Sequence, residues 1–231
     1  QYEISTISRK QKTKNITVKR LIEILFFDNS CTCCGEKASD NLIYLCYNCL
    51  DKIVRQKSLN KVGDTYYIWP YKGEFRKLLL EYKNNSRLAL GKIISSLIEE
   101  EIFKVVYEED IDYIVPIPIN FRREQIRGFN QVEEILKNLN YSFLKTNRVK
   151  NTKKMFKILD KEKRENNIKN SFKVDKEFKA KNILIFDDII TTGATIEEFK
   201  RELIKNGEVN KIVVFSLSAS KTYMNSNKRM C

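Results

Sequence analysis

Ile183-Leu184-Ile185-Phe186-Asp187-Asp188-Ile189-Ile190-Thr191-Thr192-Gly193-Ala194-Thr195 runs an unbroken apolar segment into two carboxylates and then into a Thr/Gly turn. Asn182 to Phe186 has the character of a parallel strand buried on both faces. Ile196 to Lys205 is spaced as a helix, with Gly207 placed to cap it. Ligands of open α/β sheets bind beyond the carboxyl ends of strands, where this turn must lie. There the backbone N–H groups from Thr191 through Ala194 to Thr195 can converge on a phosphate. The helix dipole favours an anion at that point, and the Thr hydroxyls add donors. Gly193 lets the backbone approach closely. Asp187 and Asp188 would repel a phosphate alone, but they suit the 2′- and 3′-hydroxyls of a ribose, with Mg²⁺ nearby. A phosphate grip and a hydroxyl grip one sugar apart describe a site for a ribose 5-phosphate.

Outward from this segment, strands alternate with helices. Val209 to Leu217 is a second buried strand, and Tyr113 to Ile119 is a β-branched run interrupted by Pro116 and Pro118. Phe129 to Leu139 is helical, and Tyr141 to Leu144 reads as a short strand. From Glu74 to Val106 the apolar residues recur at helical spacing, with a break at Lys83-Asn84-Asn85-Ser86. This alternation predicts an α/β domain with a mainly parallel sheet over residues 65–220. An N-terminal extension (1–30) with an amphipathic stretch from Val18 to Phe27, a polar linker from Arg55 to Asp64 and a polar tail (221–231) complete the division.

Residues 31–54 hold five of the six cysteines. Cys31-x2-Cys34 and Cys46-x2-Cys49 form two knuckles able to turn four thiolates to one point, the arrangement of a structural zinc ribbon. Gly35 sits where the first knuckle needs a permissive backbone. Cys33 competes with Cys31 or Cys34 as a ligand. Four thiolates leave no open position for catalysis.

Composition excludes more than it assigns. The chain contains no histidine, which removes Ser-His-Asp and Cys-His machinery and every His-ligated metal. No apolar run is long enough to cross a bilayer and no secretory pattern opens the chain, so a cytoplasmic protein without membrane insertion is expected. The net charge of +13 favours polyanionic partners or follows from a Lys-, Ile- and Asn-rich composition such as an AT-rich genome produces, and it is concentrated: Lys145 to Lys181 carries 14 Lys and Arg against 5 Asp and Glu. With Tyr66, Tyr67, Trp69 and Tyr71, this stretch suggests a surface for single-stranded DNA, unless those aromatics are core packing.

The segment around Asp187 resembles the signature that binds PRPP (5-phosphoribosyl-1-diphosphate) in type I phosphoribosyltransferases. Val115-Pro116-Ile117-Pro118, then Arg122-Arg123 and Arg127-Gly128-Phe129-Asn130-Gln131, are similar to the ComF (competence protein F/GntX) family. So are the two knuckles, Tyr71-x-Gly73-x-x-Arg76 leading to Lys83, and Arg164-x-x-Asn167 before Ser171-Phe172. The resemblance implies a type I phosphoribosyltransferase-like fold with an N-terminal four-cysteine zinc ribbon. It implies a pyrophosphate side formed by Arg122, Arg123, Arg127 and Lys83, and PRPP or a nucleotide phosphate as ligand with Mg²⁺. It also implies a role in natural transformation, in uptake of single-stranded DNA beside a helicase-like partner. Two readings stay open: a PRPP-binding competence factor, or a transferase moving phosphoribose to a nitrogenous acceptor. No catalytic residue is assigned.

Overall fold

The computed structural model describes residues 30–84, 87–149, 170–174 and 177–227. The Val18–Phe27 stretch, Cys231 and most of the lysine-rich stretch, including Lys153, Lys154, Lys157, Arg164 and Asn167, lie outside the described residues.

In chain order the elements are α1 (Tyr47–Arg55), β1 (Asn60–Val62), β2 (Thr65–Pro70), α2 (Gly73–Asn84) and α3 (Leu88–Glu108). Then come β3 (Tyr113–Pro116), α4 (Phe121–Arg127), α5 (Gln131–Asn138), β4 (Asn147–Arg148) and β5 (Phe172–Lys173). The chain continues through β6 (Phe178–Ile190), α6 (Ala194–Lys205), β7 (Gly207–Ala219) and α7 (Lys221–Asn227). One sheet takes the order β1-β2-β7-β6-β3, parallel throughout except for β1. β4 and β5 form a separate antiparallel ribbon.

The sheet is covered on both faces, the condition under which parallel strands are stable. Side chains alternate along β6 with the period of two that a strand imposes. Ile183 and Ile185, with Val115 and Val214, meet Ile196, Phe199 and Leu203 of α6. Leu184 and Phe186, with Ile114 and Phe215, meet Leu79 and Tyr82 of α2, Ile98 of α3 and Ile135 of α5. Each such side chain gains about 1.5–3 kcal/mol on leaving water. Among the described residues, no helix is long and apolar enough to cross a membrane.

Several expectations change. The Arg55–Asp64 linker contains β1, which pairs through Asn60↔Tyr67 and Val62↔Thr65. Tyr66, Tyr67 and Trp69 are buried in β2, so they form no stacking surface. Tyr141 to Leu144 is not a strand; it makes one ladder-like bond, from Leu144 N to Ile114 O at 2.9 Å. Asn206 caps α6 and Gly207 begins β7. Lys221 to Asn227, read as polar tail, is the helix α7.

Candidate functional site

The cysteine module is built from one turn and one helix start. Cys31 N donates to Glu36 O at 2.6 Å and Gly35 N to Cys31 O at 2.8 Å, which closes the first knuckle with Gly35 at φ +83°. Cys46 is the N-cap of α1 and Cys49 lies in that helix. The Sγ atoms of Cys31, Cys34, Cys46 and Cys49 all lie within 4.8 Å of one another, and Cys34 and Cys46 are 3.7 Å apart. A tetrahedron with metal–sulfur bonds of about 2.3 Å has edges of about 3.8 Å, so the four sulfurs fit a zinc-sized ion. Burial pushes the Cys31 thiol up, but N–H groups of Cys34, Cys33 and Cys46 bring it down to about 6, favouring the thiolate.

Cys33 stands outside this cluster. Its Sγ donates to Glu74 O at 3.4 Å, its carbonyl accepts from Lys77 Nζ at 2.6 Å, and burial pushes its thiol up to about 12. It therefore packs the module onto α2. The module's other anchors are Arg87, over the Tyr44 ring at 4.2 Å and bonded to Thr32, and Trp69, whose Nε1 donates to Ile53 O at 2.9 Å.

At the opposite end of α2 begins the second candidate site. β6 delivers Asp187 and Asp188 to the carboxyl edge of the sheet, and Gly193, at φ +82°, turns the chain into α6. That left-handed conformation is open to glycine and costly for most side chains. The first-turn N–H groups of a helix have no intrahelical carbonyl to bind, and those of α6 begin at this turn. Thr191 is exposed, and Thr192 to Thr195 are half-buried.

Four cations converge on the two acids. Lys83 Nζ, at the end of α2, lies 2.7 Å from Asp188 Oδ2, and both groups are largely buried. The same oxygen accepts from Gln131 Nε2. Gln131 Oε1 accepts in turn from Arg127 Nη1 at 2.6 Å, and its backbone oxygen from the Tyr82 hydroxyl at 2.9 Å. The Arg127-Gly128-Phe129-Asn130-Gln131 run is thus a helix end followed by a helix start, with Asn130 Oδ1 capping α5 through Val132 N at 3.1 Å. Burial lowers the Arg123 and Arg127 guanidinium groups, while the Asp188 charge pulls the other way. Arg148, on β4, lies 5.2 Å over the Phe172 ring and is lowered to about 10 by burial and by Arg123. Burial and the Asp188 charge push Asp187 up to about 7, against the Asp188 N–H, Lys83 and Arg148.

Of the four cations expected on the pyrophosphate side, the fold brings Lys83, Arg123 and Arg127 to the acids. Arg122 is exposed on α4, its N–H bound by Asn120 Oδ1 at 3.0 Å. Sequence reasoning missed Gln131, although it closes the quoted motif, because its partner Asp188 is 57 positions away. It also missed Arg148, which reads as one more charge in a basic stretch. Four guanidinium and ammonium groups around two carboxylates leave an excess of positive charge, suited to a polyanion that carries hydroxyls.

This is an α/β protein with a mainly parallel sheet that carries an acid pair and a glycine turn at its carboxyl edge. No family model matches the sequence. Curated relatives do. The chain is 30% identical to competence protein ComFC of Streptococcus pneumoniae over 161 residues, 65% of this chain and 66% of that protein. It is 27% identical to competence protein F of Haemophilus influenzae, covering 80% of this chain and 83% of the relative. It is 26% identical to DNA utilization protein YhgH of Escherichia coli K12, covering 77% and 78%. The chain is thus similar, over most of its length, to proteins of the competence protein F family. Two solved structures overlay loosely: hypoxanthine phosphoribosyltransferase of Staphylococcus aureus and adenine phosphoribosyltransferase of Leishmania tarentolae. The first has a TM-score of 0.36 and 13% identity, covering 58% of this chain and 66% of that one. The second has 0.39 and 12%, covering 72% and 96%.

Proposed function

We propose that this chain is a competence-associated protein that binds PRPP, or another ribose 5-phosphate, on Asp187, Asp188 and Thr191 to Thr195. In this reading the 5-phosphate sits on the N–H groups of the turn, and Asp187 and Asp188 accept ribose hydroxyls. Lys83, Arg123, Arg127 and Arg148 meet the diphosphate, and Mg²⁺ arrives with PRPP. The observation that supports the reading is an acid pair beside the Gly193 turn, with Lys83 bonded to Asp188 and Arg123, Arg127 and Arg148 near enough for their charges to act on the pair. A phosphate site alone has no use for the acids, and a hydroxyl site alone has none for the excess cations.

Cys31, Cys34, Cys46 and Cys49 would hold a structural zinc ion, which fixes the module and supplies no chemistry to the phosphate site. A four-thiolate site fits the reducing cytoplasm, where we place the protein. Single-stranded DNA would be a second ligand and a helicase-like protein its partner in DNA uptake, a role supported by the names of the competence and DNA-utilization relatives. The transferase reading shares the site. Arginines at the diphosphate would stabilise departing pyrophosphate without any histidine.

Isothermal titration of the full chain with PRPP and Mg²⁺ tests this, repeated with single-stranded DNA as competitor. Saturable binding, weakened by Thr192→Ala and Gly193→Val, is expected. Absence of affinity for every ribose 5-phosphate compound tried would remove the reading. Pyrophosphate release with an added nitrogenous base would favour transfer over binding alone.

A further inference from the structure

We propose that Ser220 and Tyr223, which follow the last strand, are positioning residues that turn the peptides of the phosphate loop toward its ligand. The proposal rests on the reading of Thr191 to Thr195 as a phosphate site. It concerns a segment, the start of α7, whose composition alone reads as polar tail.

Ser220 bonds in two directions, to the loop and to α7, where its carbonyl also accepts from Met224 N at 3.1 Å. Its N–H donates to Ile190 O at 2.8 Å and its hydroxyl donates to Thr191 O at 2.7 Å. The same Oγ accepts from Tyr223 N at 3.2 Å, the geometry of a serine N-cap. One hydroxyl therefore caps α7 and binds the loop, so the shape of the loop depends on α7 being folded. In a trans peptide, the carbonyl of one residue and the N–H of the next are fixed antiparallel in one plane. Drawing the carbonyls of Ile190 and Thr191 to Ser220 thus turns the N–H groups of Thr191 and Thr192 away from it. Consecutive N–H groups held to one side form a concavity that favours an anion.

Tyr223 fixes the next residue. Its ring lies 3.4 Å from where a Cβ on Gly193 would stand, and its hydroxyl donates to Thr65 Oγ1 at 3.0 Å. Thr65 is buried at the start of β2, so the ring is held at its far end by the sheet. Ser220 thus bonds the backbone at Ile190 and Thr191, and the Tyr223 ring occupies the space beside Gly193. A helix that merely covered the apolar core would have no need of those contacts.

The test uses the full chain and two measurements. The first is amide hydrogen exchange at Thr191 to Gly193 without ligand; the second is affinity for ribose 5-phosphate and, separately, for inorganic pyrophosphate. Ser220→Ala is expected to speed loop exchange about five- to tenfold and to raise the Kd for ribose 5-phosphate by a similar factor, the scale of one lost hydrogen bond. Pyrophosphate, held by the arginines, is expected to change less than about twofold. Ser220→Thr should restore both values, Tyr223→Phe, which releases the far end of the ring from Thr65, should loosen the loop less than Ser220→Ala does, and Tyr223→Ala should behave as Ser220→Ala does. Unchanged loop exchange in Ser220→Ala overturns the proposal. So does equal weakening of both ligands with a fall in Tm that Ser220→Thr does not rescue. A wild type without affinity for ribose 5-phosphate would remove the phosphate reading, while loop exchange would still decide whether Ser220 and Tyr223 hold the loop.

Discussion

Asp187 and Asp188 are neighbours in sequence and opposites in surroundings. Asp188 is held by Lys83 and Gln131, whereas burial and Asp188 itself push Asp187 up to about 7. An unfolded aspartate titrates near 3.9, so between about pH 4 and pH 7 the folded chain binds more protons at this residue than the unfolded chain. Stability from Asp187 is therefore lost as pH rises through that window. Asp187→Asn should flatten the fall in Tm between pH 4 and 7, and a slope identical in the variant would contradict the assignment. Glu109, held to about 2 by Lys61, Tyr66 and Lys211, acts with the opposite sign: its contribution is full above about pH 4.5 and is lost below, as pH falls toward 2. The buried pair predicts differently. Lys83→Met strands the Asp188 carboxylate and should cost about 2–3 kcal/mol in denaturant unfolding, most of which Lys83→Met with Asp188→Asn should recover. Additive losses in that cycle would mean the two groups do not interact. The loop and acid pair were legible because each is a dense local pattern. Gln131 and Arg148 were not, since their roles arise only when β6 meets α5 and the β4–β5 ribbon.

α2 links the two candidate sites. Glu74 and Lys77, near its start, grip Cys33, and Lys83, in its last turn, reaches Asp188. The apolar period of this helix and the long buried runs of β6 and β7 were readable because burial writes them into composition. β1 and α7 were not: β1 is three residues set by its register with β2, and α7 is a polar helix held by contacts to the loop. The competing cysteines also needed the fold, because spacing alone permits Cys33 as a ligand and only its bonds to α2 remove it. Full-length protein should bind about one zinc ion per chain. Cys34→Ser or Cys49→Ser should abolish that and unfold the module, whereas Cys33→Ser should keep the metal and lower Tm slightly. Metal analysis of the three variants decides, and equal metal loss from Cys33→Ser would return that residue to the ligand set.

At the scale of the molecule, charge separates the two ligands proposed here. PRPP would be gripped by a local cage of backbone N–H groups and half-buried arginines, little affected by charges more than a Debye length of about 8 Å away at physiological salt. Single-stranded DNA would be drawn by the diffuse field of the lysine-rich stretch, where counterion release makes affinity fall linearly with the logarithm of salt. The slope should be about −0.7 for each phosphate contacted. Replacing Lys153, Lys154 and Lys157 with Gln removes three positive charges from the stretch that holds 14 Lys and Arg against 5 acids. If all three contact phosphates, the slope should become shallower by about 2, while PRPP affinity stays within about twofold. Fluorescence anisotropy of a labelled oligonucleotide between 50 and 300 mM salt, beside titration with PRPP, measures both. An unchanged slope would place DNA contact elsewhere than these lysines. Parallel loss of PRPP affinity would mean that the stretch folds over the phosphate site, so that one surface serves both ligands.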